Sequence, residues 1–434
     1  MHYVGVDIAK RTHCAAVLDD GGSLVAEPFI FNNDSQGFAF FLMKLGSIGA
    51  HCDECTIAME STGHYWFALL DFLIAHGFEP IVLNPIQTDA YRKVDNVRSA
   101  KTDVIDAVLI ADLVRVKRFA PWSRGDELCD ALKQLTRYRS TLVTQSTRVK
   151  NKTTAVLDRV FPEYAAIFTH PYGPTSKAVL QRCPTPQQVM RFGIHRLTRI
   201  IETASNGRCG RDYADTLIAA ARTSVGAAHS SDALALQIKL MIEQLEFLER
   251  QMKDLDEEIA VILDETPGKW LTTIPGVGPT LAAQITGEIG DPWRFSSARK
   301  LVAYAGMDAT VSQSGESEMA GHMSKRGSAQ LRYALVRAAD GVRRLDPYFK
   351  EYYERKLREG AHYFCAISGV ARKLAGVVLA LMREERAYEP WPPGIGDTGK
   401  SDPFINGHAS CEGGAVNNDQ PCRLNRLLLS DLRP

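Results

Sequence analysis

Two spacings of apolar residues divide the chain. Over the first 120 positions they come in short blocks, at 3–6, 14–18, 24–31, 56–60 and 80–83, as half-buried or buried strands require. "DDGGS" at 19–23 supplies a turn between the second and third blocks. Helical spacing appears at 35–45, 64–76 and 103–117, and "NP" at 84–85 closes the fifth strand. Three strands followed by helix, strand, helix, strand, helix predict an α/β region with a mixed sheet. After position 127 the three-and-four step takes over. Residues 127–161 read as one long helix, and 162–230 as short helices between the loops "HPYGPTSK" and "CPTPQQ". Ile238, Met241, Leu245, Leu248, Met252, Leu255, Ile259 and Ile262 then hold a/d spacing over four heptads, which predicts a coiled coil at 233–265 rather than a helix on its own core. "TIPGVGPTLAAQI" reads as a helix, a tight hairpin with Gly276 and Gly278, and a second helix. Amides at such a helix start suit a phosphate.

Composition narrows this picture only a little. The chain has 434 residues, room for two or three domains, and a formal net charge of zero, so no global field advertises a nucleic-acid partner. Nine cysteines stand singly apart from Cys52 and Cys55, and that C-x-x-C has no second pair at zinc spacing. No uninterrupted apolar run reaches 18 residues, which predicts no membrane-spanning helix. The chain begins on a strand with no leader pattern. A cytoplasmic protein with reduced thiols is expected. The Pro- and Gly-rich stretch after Glu384 predicts a disordered tail over 388–434.

Charge placement changes the picture more. Asp7 closes the first strand and Glu60 the fourth, while Asp103 and Asp106, three apart at a helix start, share a face. If the first and fourth strands are neighbours, their ends bring Asp7 and Glu60 together, and the last helix can lay its pair beside them. Carboxylates gathered this closely repel unless cations compensate them. Mg²⁺ (or Mn²⁺) suits an all-oxygen donor set, and two such ions about 4 Å apart serve phosphodiester chemistry. A second cluster, "VSQSGESEMAGHMSKRGSAQLRYAL" at 311–335, offers Ser312, Ser314, Ser317 and Ser324 as candidate nucleophiles. No Ser-His-Asp order accompanies them. On the long helix, Lys133, Arg137, Arg148, Lys152 and Arg159 fall within one arc opposite Leu135, Leu142, Val149, Val156 and Val160. Seven basic residues and one acidic lie between 131 and 159. Most such stripes are solvated faces.

These residues resemble one family. "VGVDIAK", "AMESTGHYW", "VLNP", "AKTDVIDA", "TIPGVGP", "YAGM", "QSGESE" and "GHMSKRGS" match, in order and over about residues 1–385, the signatures of transposases of the insertion-sequence 110/1111 family, which includes Piv-type DNA invertases. The resemblance implies an RNase H-like, RuvC-like domain over 1–120, a helical extension over 121–232, the coiled coil, and a mainly α-helical transposase domain over 266–387 with a helix–hairpin–helix-like motif. It implies that Asp7, Glu60, Asp103 and Asp106 form an Asp-Glu-Asp-Asp metal site and that Ser314, before Gly315, is the nucleophile. It further implies recombination of donor and target double-stranded DNA by a homo-oligomer, dimer or tetramer, guided by a structured bridge RNA. The basic stripe then becomes a candidate RNA contact. A RuvC-like junction endonuclease, using the four acids to activate water without a serine, is the competing expectation.

Overall fold

The computed structural model describes residues 1–95, 102–119, 126–227, 229, 231–308, 312–314, 317–319 and 323–390. The chain forms two compact units, Met1–Arg124 and Gly125–Pro434. The tail expected to be disordered lies almost wholly outside the described residues.

The first unit contains strands β1 (His2–Asp7), β2 (Thr12–Leu18) and β3 (Phe29–Asn32), helix α1 (Ser35–Ser47), strand β4 (Cys55–Glu60), helix α2 (Trp66–Ala75), strand β5 (Ile81–Leu83), and helices α3 (Pro85–Asp95) and α4 (Asp103–Val116). The sheet order is β3-β2-β1-β4-β5. β2 is antiparallel to both of its neighbours; β1, β4 and β5 run parallel. The first and fourth strands are therefore neighbours. The period-two alternation sorts the faces. Val4, Val6, Ile57 and Met59 join one core with Phe41, Leu69 and Leu73, from α1 and α2. On the other face Ala58, Ile81 and Leu83 meet Ile110 and Leu113 of α4. Gly5 permits this second layer. A Cβ there would stand 2.0 Å from the carbonyl oxygen of Ala107 and 2.4 Å from the nitrogen of Ala111, so α4 rests directly on β1.

The chain departs from the local pattern at two places. The third strand starts at Phe29, not at 24; Leu24 makes only an isolated bridge to Leu18. The "NP" at 84–85 follows the end of β5 at Leu83, as expected, but it also opens a helix, α3, that the pattern did not predict. Asn84 Oδ1 accepts from the Ile86 amide at 3.0 Å, and Pro85 fills the first helical position, where its missing N–H costs nothing.

The second unit is mostly helical. Its elements are α5 (Glu127–Val160), α6 (Pro174–Arg182), α7 (Pro186–Phe192), α8 (Ile194–Ser205), α9 (Arg211–Thr223), α10 (Ser231–Asp264), α11 (Pro279–Ile289), α12 (Ala298–Tyr304), the strand pair β6 (Ser312–Ser314) and β7 (Ser317–Met319), α13 (Ala329–Leu345), α14 (Pro347–Arg358) and α15 (Tyr363–Glu384). The heptad seam of α10 is filled by its own chain. Ile238 and Leu245, both 0 % exposed, share a core with Leu142, Val149 and Val156 of α5. Ile259 and Leu263, at the far end of α10, share a core with Leu132 near the start of α5, so the two helices run antiparallel. Regular a/d spacing thus marks an intrachain helical pair, and self-association through this seam is not what the structure supports. α15 also departs from expectation: it is long and apolar enough to cross a membrane by length and composition, but 72 % of its apolar window is buried against α13, α12 and their neighbours.

Candidate active site

The acid site is built from backbone register. β1 and β4 pair in parallel with Val6 opposite Met59, so the next rung sets Asp7 beside Glu60. Asp7 lies two positions beyond Gly5, and Glu60 two beyond Ala58, on the sheet face that carries α4. Thr102 caps that helix, its hydroxyl accepting from the Ile105 amide at 3.3 Å. The first turn then presents Asp103, exposed, and Asp106, buried. The Cys14 thiol, opposite Asp7 in the β1–β2 ladder, is pushed up chiefly by burial, then by the charges of Asp7 and Asp103. Both carboxylates are therefore close to one sulfur.

Helix α3 supplies partners that the sequence pattern did not reveal. Thr88, 1 % exposed, donates its hydroxyl to Glu60 Oε2 at 2.6 Å. Thr62 donates to the other oxygen of Glu60. Arg92 Nη2 donates to Asp106 Oδ1 at 2.7 Å, and its Nη1 reaches Asp89 at 3.3 Å. The Asn-cap and Pro pattern at 84–85 was the available signal for this helix. The donor set, carboxylate oxygens alone, has the hardness a divalent cation prefers. Among the described residues, however, no three His, Cys, Asp or Glu side chains stand close enough to share an ion. Two of the four carboxylates, Glu60 and Asp106, are occupied by partners from α3.

Nearby sulfur and nitrogen chemistry is quiet. Burial, then the neighbouring Cys52, pushes the Cys55 thiol up to about 12, which leaves it protonated and inert. His13, 1 % exposed between the rings of Phe31 and Phe38, is held neutral by burial, and its Nδ1 accepts from the Ala9 amide at 3.2 Å.

The serine segment belongs to the second unit. β6 and β7 pair antiparallel with Ser314 opposite Ser317, which puts Ser314 at the end of its strand, next to the connection. Gly315, expected to follow the nucleophile, lies outside the described residues, as do the side-chain surroundings of Ser312, Ser314 and Ser317. Ser324 is held in a structural role. Its hydroxyl donates to the Asp308 carboxylate, and its amide donates to the Asp308 carbonyl at 2.9 Å.

The candidate nucleic-acid contacts divide. Arg148, Lys152 and Arg159 are exposed on α5, and no ion pair engages them among the described residues; Lys133 is half-buried. Arg137, its side chain 47 % exposed, is also engaged within the chain. Its Nε and Nη2 donate to Glu288 of α11 at 2.6 and 3.0 Å, and the Glu288 side chain is 0 % exposed. Ser328, the cap of α13, donates to the same carboxylate at 2.7 Å. Arg137 therefore ties three helices together. The hairpin divides similarly. Gly276 adopts φ +87°, and a Cβ there would stand 2.8 Å from the Gly341 carbonyl carbon, so its glycine serves packing on α13. Gly278 is exposed, caps α11 and has open space where a Cβ would project. The first helix of this motif is a short 3₁₀ helix, Pro267–Thr273.

Comparison with known proteins agrees with the motif order. Residues 4–162 match a profile described as a transposase of the IS110 DEDD type, and residues 268–354 match the transposase IS116/IS110/IS902 family. Over 397 residues the chain is 28 % identical to the insertion element IS116 44.8 kDa protein of Streptomyces clavuligerus, covering 90 % of this chain and 97 % of that one. It is 24 % identical over 406 residues to the mini-circle putative transposase for IS117 of Streptomyces coelicolor, covering 89 % and 97 %. It is likewise 24 % identical over 398 residues to the pilin gene-inverting protein of Moraxella lacunata, again covering 89 % and 97 %. Two family profiles, in order and at opposite ends of one alignment nearly as long as its relatives, leave one assignment: the chain belongs to the IS110/IS116 family of transposases, enzymes that cut and rejoin DNA.

Proposed function

We propose that this chain is an insertion-sequence recombinase whose N-terminal unit is an RNase H-like, RuvC-like domain. The sheet order, with one antiparallel strand pair joined to three parallel strands, supports that reading. Asp7, Glu60, Asp103 and Asp106 would hold Mg²⁺ or Mn²⁺, which when bound supplies charge stabilisation at a phosphodiester. The observation that carries the proposal is the β1–β4 register, together with the side-chain-free contact at Gly5 that brings α4 onto the same sheet face.

Ser314 is the proposed nucleophile. Its Oγ attacks phosphorus, loses its proton, and releases a 3′-hydroxyl, leaving a 5′-phosphoserine link. The link conserves the phosphodiester bond for rejoining, which suits strand exchange better than hydrolysis. Donor and target double-stranded DNA are the proposed substrates, in the cytoplasm. A bridge RNA would lie along Lys133, Arg148, Lys152 and Arg159, with phosphates also met by the open amide end at Gly278. The working unit would be a dimer or tetramer joined through a surface other than the α5–α10 seam. Trapping the DNA–protein adduct by denaturing gel tests the serine. Ser314→Ala should abolish the adduct and Ser312→Ala should keep it. The reverse pattern moves the nucleophile by two residues, and no adduct from the parent chain favours a water-using junction endonuclease.

A further inference from the structure

Helix α3 touches the acid site twice, with opposite chemistry. Thr88 brings a neutral hydroxyl to Glu60, and Arg92 brings a full positive charge to Asp106. Both contacts are largely removed from water: Thr88 is 1 % exposed and the Asp106 side chain 9 %. Arg92 is also incompletely satisfied, since its buried Nε has no hydrogen-bond partner among the described residues. A guanidinium paired with an acid for stability alone would more commonly use its fork on both carboxylate oxygens. Here one nitrogen holds one oxygen, as the side chain divides itself between Asp106 and Asp89.

We infer that Arg92 is a built-in counter-cation for Asp106, competing with the divalent ion, while Thr88 on the same helix assists that ion by orienting Glu60. The inference rests on the metal reading proposed above. Magnitudes set the two signs. A hydrogen bond that orients a ligating carboxylate is worth about 10–100-fold in metal affinity. A single charge at close range shifts the affinity of a carboxyl for one proton by roughly 10- to 1000-fold, and a divalent ion carries twice that charge. For Arg92 repulsion therefore outweighs orientation; for Thr88 there is no charge to oppose. In the absence of an ion Arg92 relieves the buried Asp106. With an ion bound it gives up that carboxylate, and its guanidinium becomes available to a phosphate.

The test is Mn²⁺ binding by the full chain, read as loss of the free-ion signal in electron paramagnetic resonance, with melting measured in chelator and in excess Mn²⁺. Arg92→Gln should bind Mn²⁺ at least ~10-fold more tightly than the parent, melt lower in chelator, and recover in Mn²⁺. Arg92→Lys, which keeps the charge, should stay near the parent. Thr88→Val should bind about 10–100-fold more weakly, and Thr88→Ser should restore it. Equal or weaker binding by Arg92→Gln overturns the counter-cation, as does loss of binding in both Arg92→Gln and Thr88→Val, which would make α3 a scaffold only. Should Arg92→Gln fail to fold, tighter binding by Arg92→Lys would overturn the inference on its own. A parent chain that binds no Mn²⁺ overturns the metal reading itself, and this inference with it.

Discussion

The sheet end of the first unit and the long helices of the second treat their charges differently. At the sheet end, Asp7, Glu60, Asp103 and Asp106 occupy ends and first turns of elements whose order along the chain already sets their neighbours. On α5, Arg137 and Arg139 share a helix with a legible polar face, yet Glu288 and Asp256, 151 and 117 residues away, claim them. A local period says which way a side chain faces. It does not say what will meet it there. Charges at strand ends keep their place because backbone register fixes it; charges on a long helix are assigned by whichever element packs against it.

The largest effect is expected at the α5–α10 seam. Leu245→Asp would place a charge with no partner in a core position that is 0 % exposed, at a cost of several kcal/mol, about 4 or more. If the seam is intrachain, calorimetry shows the second unit's transition lost or strongly lowered. A folded variant with reduced oligomer mass would return the seam to an intermolecular role.

In the first unit the corresponding lesion is Gly5→Ala. One methyl group meets backbone atoms of α4 at 2.0 and 2.4 Å, which forces the helix off the sheet at about 3 kcal/mol. Because α4 carries Asp103 and Asp106, DNA cleavage should fall by more than the fraction unfolded explains. Cleavage proportional to the folded fraction, measured by circular dichroism on the same samples, would separate α4's packing from the site.

The α5 stripe gives smaller effects that sharpen the same contrast. Arg137→Ala leaves Glu288 buried with only the Ser328 hydroxyl, at a cost of about 3 kcal/mol. Arg148→Ala and Lys152→Ala, on exposed positions, should each cost under about 0.5 kcal/mol. In filter binding to the proposed guide RNA the last two should lower the salt slope by about 0.7 per charge removed. An unchanged slope would return them to an ordinary solvated face.

How much of this was legible follows from where the information sits. The strand ends, the first-turn acids and the mixed sheet were readable because period and turn chemistry are local. α3 was less so, because "NP" after a strand marks the strand's end as well as a helix start, and nothing local shows that Thr88 will meet Glu60. The intrachain partner of α10 was hidden for a related reason. Heptad spacing describes a seam without naming its partner, and α5 carries a matching apolar face on the same chain. The role of Ser314 came from motif resemblance, since a Ser- and Gly-rich segment by composition is only a polar loop.

The central claim is that Asp7, Glu60, Asp103 and Asp106 carry metal-dependent strand cleavage. The most direct measurement is cleavage of the element's own DNA end, with the proposed guide RNA and Mg²⁺, by the parent and by Asp7→Asn, whose near-identical shape leaves the β1–β4 ladder intact. The expected result is a loss of at least ~1000-fold, about 4 kcal/mol in barrier, with melting and RNA binding unchanged. Cleavage by Asp7→Asn within a few-fold of the parent would contradict the claim.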